Sequence, residues 1–221
     1  MLTHEVKGPL SAIRGAAELL QEPMPEADRV RFIANIARET QRIQELVDRM
    51  LELTALESRK SLDHAGPLAI DALVAEVAAS ATPSAQARGL SIVVDAARVP
   101  AAAAVDGDAF LLQRAVANLI DNALDFSPPG GKVVIEVVVN ARVCDIVVRD
   151  TGTGIPEYAE DKVFEKFYSL ARPATAKKST GLGLSFVKEI AELHHGRVTL
   201  KNGAHGGAVA TLSLPLSRTS S

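Results

Sequence analysis

Four short groups of residues in this chain have types and spacings that suit phosphoryl chemistry. His4-Glu5 sets an imidazole beside a carboxylate, a nucleophile next to its own base. Taken alone, such a pair on a helix is more often a solvated polar face. Asn118 and Asn122 stand four apart with Asp121 between them, so on a helix both amides share one face, where their oxygens can ligate a hard cation. Asp150-Thr-Gly152-Thr-Gly154 follows an apolar strand-like run; a carboxylate there can accept from the amino group of adenine, and glycines let the backbone approach phosphates. Thr180-Gly181-Leu182-Gly183 opens a helical stretch, and amides at a helix N-terminus donate to phosphate. The bland alternatives are a polar helix face for the Asn pair and plain turns for the Gly-x-Gly pairs. The third glycine and the βαβ setting of a dinucleotide-binding fold are absent.

The elements that must position these groups fall into two sets. Residues Leu2 to Leu20 read as a helix, with Val6, Leu10, Ile13, Ala17 and Leu20 on one stripe. Gln21 to Pro25 breaks it. A longer helix, Glu26 to Glu57, carries Ile33, Ile36, Thr40, Ile43, Val47, Met50 and Thr54 in alternating steps of three and four, a coiled-coil-like seam. Two such helices cannot enclose a core alone, so the pattern favours dimerisation into a four-helix bundle over a hairpin packed on a neighbouring domain. His4, two residues before Val6, lies about 200° around the helix and should face outward. Pro9 removes a helical donor one turn later and should loosen the helix.

After a polar linker the pattern changes. Helices are expected near Ile70 to Arg88, Asp108 to Phe126 and Leu184 to His194. Strands are expected at Leu90 to Val94, Val133 to Val139, Val143 to Arg149, Val198 to Lys201 and Ala208 to Leu214. This mixture suggests a two-layer α/β sandwich, making the whole chain α+β. The division expected is 1–58 for the hairpin, 59–67 for the linker and 68–221 for the second domain. Tyr168 to Thr180 is rich in small residues, carries Lys177 and Lys178, and suits a mobile lid.

Composition excludes several classes. A net charge of −3, with 23% charged residues, gives no basic surface for direct nucleic-acid binding. One cysteine, Cys144, rules out an internal disulfide, and its apolar run makes it a core residue. His64, His194, His195 and His205 have no zinc-ligand spacing; His194-His195 suits capping or a surface role. No stretch approaches the ~20 apolar residues of a membrane span. Met1 precedes His4 by only three residues, so a longer parent is expected.

Taken in order, these motifs resemble the catalytic core of bacterial two-component sensor histidine kinases. His4-Glu5 resembles the H box, Asn118 to Asn122 the N box, Asp150 to Gly154 the G1 box, Phe164 to Phe167 the F box and Gly181 to Gly183 the G2 box. The resemblance covers nearly the whole chain. It implies a dimerising phosphoacceptor hairpin followed by a Bergerat-type ATP-binding domain, together the cytoplasmic portion of a parent anchored in a bacterial inner membrane. It also implies that His4 attacks the γ-phosphate of ATP with Glu5 drawing its other proton, and that the phosphoryl group passes to an aspartate of a cognate response regulator. The implied nucleotide set is Asn118, Asn122, Asp150, Gly152, Gly154, Ile155, Phe167, Lys177, Lys178, Thr180, Gly181, Leu182 and Gly183. Mg²⁺ is expected on Asn122 with Asn118 nearby, and adenine on Asp150.

Two positions depart from the family pattern. Gly8 stands where members that also dephosphorylate their regulator carry Thr, Asn or Ser to orient water, which implies weak phosphatase activity. Asp125 stands where many relatives have a lysine near the phosphates, so it should face away or meet a compensating cation. The alternatives are a related ATPase or protein-serine kinase whose hairpin only dimerises, and a nucleotide-binding scaffold without turnover.

Overall fold

The structure, a computed structural model, describes residues 2–62, 65–95, 104–140, 142–173 and 179–217, with residues 2–5 described by their backbone alone. The chain divides into two compact units, Met1–Ala55 and Leu56–Ser221.

The first unit is built on α1 (Leu2–Leu19) and α2 (Glu26–Glu57). Helix α1 continues through Pro9. The stripes sort differently from the expected seam. On α2, Leu46 and Leu53 are buried and Ile36, Ile43 and Met50 half-buried, whereas Ile33 and Val47 are 53% and 45% exposed. On α1, Pro9 and Ala16 are buried, while Leu10 and Ala17 are exposed. Each helix therefore carries two apolar stripes offset by about one residue, which the periodic pattern merges into one. The second stripe of α2 runs through Ile33, Thr40, Val47, Leu51 and Thr54. Thr40 and Thr54 donate their hydroxyls to the carbonyls of Ile36 (2.8 Å) and Met50 (2.9 Å) on their own helix, leaving methyl groups for the surface.

The second unit holds a five-stranded sheet ordered β2-β4-β5-β7-β6, from β2 (Ser91–Asp95), β4 (Lys132–Val139), β5 (Val143–Arg149), β6 (Arg197–Asn202) and β7 (Ala208–Pro215). β2 runs parallel to β4 and the remaining pairs are antiparallel. A separate two-stranded sheet pairs β1 (Gly66–Ala69) with β3 (Ala104–Gly107), neither of which the sequence pattern suggests. Helix α4 (Ala109–Phe126) lies between α3 (Ile70–Ala87) and α5 (Gly183–Leu193) and packs over β4 and β5; α3 packs over β2 and α5 over β6. The result is the expected two-layer sandwich.

Helix α4 is the central post. Asp108 caps it by accepting from the Leu111 amide at 3.2 Å. Leu112, Val116, Leu119, Ile120 and Leu124 are fully buried along its sheet-facing side, each worth about 1.5–3 kcal/mol of burial. On the sheet, Val133, Ile135 and Val137 alternate inward; Val133 pairs with Ile92 of β2, and Ile135 and Val137 pair with Val148 and Ile146 of β5. Cys144 is fully buried, and burial, with Asp145 and Asp71 adding, pushes its thiol up to about 11. It is therefore an inert core residue.

Candidate functional site

A cleft of about 830 Å³, counting its open mouth, lies in the second unit where α4, the loop after β5 and the start of α5 come together. Of the expected residues, Asn122, Asp150, Gly154, Ile155, Gly181 and Gly183 line it, alongside Phe126, Tyr168, Ser169 and Ser179.

One end is built around Asp150. Its Oδ1 accepts from the Gly152 amide at 2.8 Å and the Ala208 amide at 3.0 Å, and Oδ2 has no protein partner among the described residues. Burial raises the carboxyl pKa, and these two amides partly offset the shift. The glycines here are steric requirements. A side chain on Gly152 would collide with the Phe126 carbonyl, and one on Gly207, at φ +71°, with the Asp150 carbonyl. The carboxylate is thus fixed in place with one oxygen facing a half-dry cleft.

The other end is built on helix spacing. Asn118 donates its Nδ2 to the Arg114 carbonyl at 2.9 Å, which directs Oδ1 toward Gly183. A Cβ on Gly183 would lie 3.2 Å from Asn118 Oδ1 and 3.8 Å from Asn122 Nδ2. Both amides therefore meet at the N-terminus of α5, where unsatisfied backbone N–H groups favour an anion. Leu182 precedes this helix and is buried, and Thr180 is half-buried. No cluster of three or more His, Cys, Asp or Glu side chains that could hold a metal exists among the described residues. Neutral amide oxygens supply only part of an octahedron, which fits Mg²⁺ completed by phosphates and water and does not fit zinc.

Phe167 does not line the cleft. It takes φ +64° and donates its amide to the Gly181 carbonyl at 2.9 Å, while Gly181, at φ +66°, packs against Phe167 and Tyr168. The F and G2 segments interlock through this pair, and Tyr168 supplies the aromatic wall. Ser169 and Ser179 close the ends of the expected lid, with Oγ–Oγ 2.9 Å and Ser179 N donating to Ser169 Oγ at 3.0 Å. Lys177 and Lys178 lie outside the described residues, as does His64. His4 and Glu5 lie within α1, but their side chains, and so the expected outward direction of His4, are outside the described residues. Gly8 is exposed, and a Cβ there would meet nothing within 4 Å.

Asp125 meets its compensating cations. Its side chain is 13% exposed and bridges Arg88 at 2.8 Å and Arg172 at 2.5 Å, so the Asp125 charge is compensated. His194 takes the capping role of the two expected, at the C-cap of α5, and not the surface one: it is 2% exposed, Nδ1 donates to the Ile190 carbonyl at 2.7 Å, and Nε2 accepts from the Asp108 amide at 3.0 Å. This pair of partners fixes a neutral ring, and burial lowers its pKa. Sequence reasoning missed Arg172, Ser169, Ser179 and Asn202. Asn202 ends β6 and bonds both backbone groups of Ile155; no local spacing signals it, because its partner is 47 residues away.

Comparison with known proteins agrees with this geometry. Residues 107–218 match the histidine kinase-, DNA gyrase B- and HSP90-like ATPase family, and residues 1–59 match the His Kinase A phospho-acceptor domain. The chain belongs to the histidine kinase-, DNA gyrase B- and HSP90-like ATPase family. It is 41% identical to the sensor protein CreC of Escherichia coli (strain K12), over 96% of this chain and 44% of that protein. It is 32% identical to the sensor-like histidine kinase SenX3 of Mycolicibacterium smegmatis, over 97% of this chain and 56% of that protein. The chain thus spans about half the length of these relatives. The histidine kinase ThkA, solved in complex with the response regulator protein TrrA, shares the fold at a TM-score of 0.77 and 21% identity, covering 100% of this chain and 61% of that one.

Proposed function

We propose that the chain is an ATP-dependent protein-histidine kinase that phosphorylates its own His4 and passes the phosphoryl group to an aspartate of a response regulator. One observation carries this reading. A single cleft sets the anion-ready N-terminus of α5, with Asn118 and Asn122, at one end and the fixed Asp150 carboxylate at the other. That polarity matches a purine triphosphate. Asp150 Oδ2 accepts from the adenine amino group, and the apolar walls around Ile155 and Tyr168 hold the ring. The amides at the head of α5 receive the phosphates. Asn122, with Asn118 beside it, would hold Mg²⁺, which when bound supplies neutralisation of phosphate charge.

His4 Nε2 attacks the γ-phosphorus, a new P–N bond forms, and the bond to the β,γ-bridging oxygen breaks with ADP as leaving group. Glu5 accepts the Nδ1 proton, which keeps the imidazole nucleophilic. The phosphoryl group then moves from Nε2 to the regulator's aspartate oxygen and the histidine regains a proton. Such a core acts as a dimer, and the exposed second stripe of α2 supports pairing of two hairpins. Among the described residues no helix is long and apolar enough to cross a membrane.

The test is incubation with γ-labelled ATP and Mg²⁺, followed by acid and alkali treatment of the protein. A label stable in alkali and lost in acid is expected, as for a phosphohistidine. ATP hydrolysis without label would favour a simple ATPase, and an acid-stable label a serine kinase.

A further inference from the structure

The loop from Gly154 to Ile155 forms one wall of the cleft, yet its backbone is held by no strand or helix. Neither polar backbone group of Ile155 has a backbone partner among the described residues. Both are taken by one side chain: Asn202 Oδ1 accepts from the Ile155 amide at 2.6 Å, and its Nδ2 donates to the Ile155 carbonyl at 2.8 Å. The same Nδ2 reaches Glu160 Oε1 at 3.3 Å, at the end of the 3-10 turn that follows. These partners fix which way the amide faces. Gly154, at φ +76°, is pressed so close that any side chain on it would collide with Asn202 Oδ1.

The position of Asn202 in the sheet gives this clamp a second consequence. Asn202 pairs with Ala208 across the last rung of β6 and β7. The Ala208 amide in turn donates to Asp150 Oδ1. One rung of the sheet therefore holds both the carboxylate at the end of the cleft and, through a side-chain amide, the facing wall. Ile155 is 8% exposed and packs with Ala159, Val163 and Ala208, so moving its backbone moves an apolar surface that the cleft shares.

We propose that Asn202 is a positioning residue for nucleotide binding, setting the distance between Asp150 and the Ile155 wall at the adenine end. The proposal rests on reading the cleft as an ATP site. It differs from a purely structural role in what it predicts for ligands. The base end should loosen, and the phosphate end should not.

The experiment measures adenosine and ATP binding to the wild type, Asn202→Ala and Asn202→Asp, well below each protein's melting temperature. Loss of two well-formed hydrogen bonds to one loop should weaken both ligands by the same factor, about tenfold. Autophosphorylation at saturating ATP should keep its kcat while KM rises. The Asp variant keeps the size of Asn but cannot donate to the Ile155 carbonyl and sets a carboxylate beside Glu160, so it should bind no better than the Ala variant. Gly154→Ala, which forces the clamp apart from the other side, should give the same joint weakening and serves if the Asn202 variants do not fold. Folded variants that bind like wild type would overturn the inference alone, as would weakening of ATP with adenosine unchanged. A wild-type protein that binds neither ligand would overturn the reading of the cleft, and the inference with it.

Discussion

The two units of this chain solve the problem of burial in opposite ways. The α/β unit closes its own core: α4 buries one whole face, and the inward residues of β4, β5 and β7 are almost all inaccessible to water. The helical unit leaves large apolar side chains in solvent, with Leu51 64% exposed and Ile33 and Val47 close behind. A stripe of that kind on a long helix marks a surface built to be covered. Under the proposed function this contrast is a division of labour: nucleotide binding falls to a unit that is complete by itself, and presentation of His4 to a unit that pairs with a second copy.

The strongest way to break that comparison is to empty each unit of its own task. Asp150→Asn keeps an oxygen for the Gly152 and Ala208 amides but puts an amide nitrogen where adenine's donor arrives; ATP affinity should fall roughly 100-fold or more, by the logic of a site whose polar group no longer matches its ligand. Its melting temperature should hold or rise. The folded pKa of Asp150 lies above its unfolded value, so this group favours folding fully only below the unfolded pKa, near 3.8, and costs stability once pH rises through the folded pKa. A calorimetric titration and a melting curve check both statements. Oligomeric state should not change.

The reverse substitution pair, Ile33→Asp with Val47→Asp, should leave ATP binding within about twofold and weaken dimerisation by ~100-fold or more, since each places a charge in a surface meant to be dry. Sedimentation at a series of concentrations reads this. A dimer of unchanged strength would mean that the exposed stripe is not the interface.

A smaller effect separates the units by pH. His194 is buried neutral and its folded pKa lies below the unfolded 6.5, so its contribution is complete above pH 6.5 and is lost as pH falls from there through the folded pKa. Denaturant unfolding should show this group removing up to about 1.4 kcal/mol per pH unit in that range. His194→Gln should be less stable at pH 8 and lack that slope. Smallest is Gly8→Ser. The position is open, so the hydroxyl fits; dephosphorylation of the regulator should rise severalfold from a weak baseline, while an already fast rate in both forms would contradict the reading of Gly8.

The residues proposed to touch nucleotide were legible because chemistry constrains their type and spacing together. A nucleotide site of the proposed kind needs Asn118 and Asn122 on one helix face, Asp150 at a strand end, and Gly181 and Gly183 at the head of a helix. The residues that hold them were not legible. Asn202 meets Ile155, and Arg172 meets Asp125, only after the sheet and helices are assembled. The hairpin shows another limit. Its two stripes lie one residue apart, so a repeat of three and four fits either, and Leu46 and Leu53 rather than Val47 and Thr54 proved to be the buried set. Strands β1 and β3 escaped because Gly, Pro and Ala dominate four-residue segments with little β propensity.

Under the proposed function, ATP held in the cleft is the phosphoryl donor to His4. The most direct measurement is mapping of the alkali-stable label by peptide mass spectrometry in wild type and in His4→Gln. A single phosphorylated peptide containing His4 is expected, with label absent from His4→Gln although that variant binds ATP like the wild type. Label retained in His4→Gln, or carried on a peptide without His4, would contradict it.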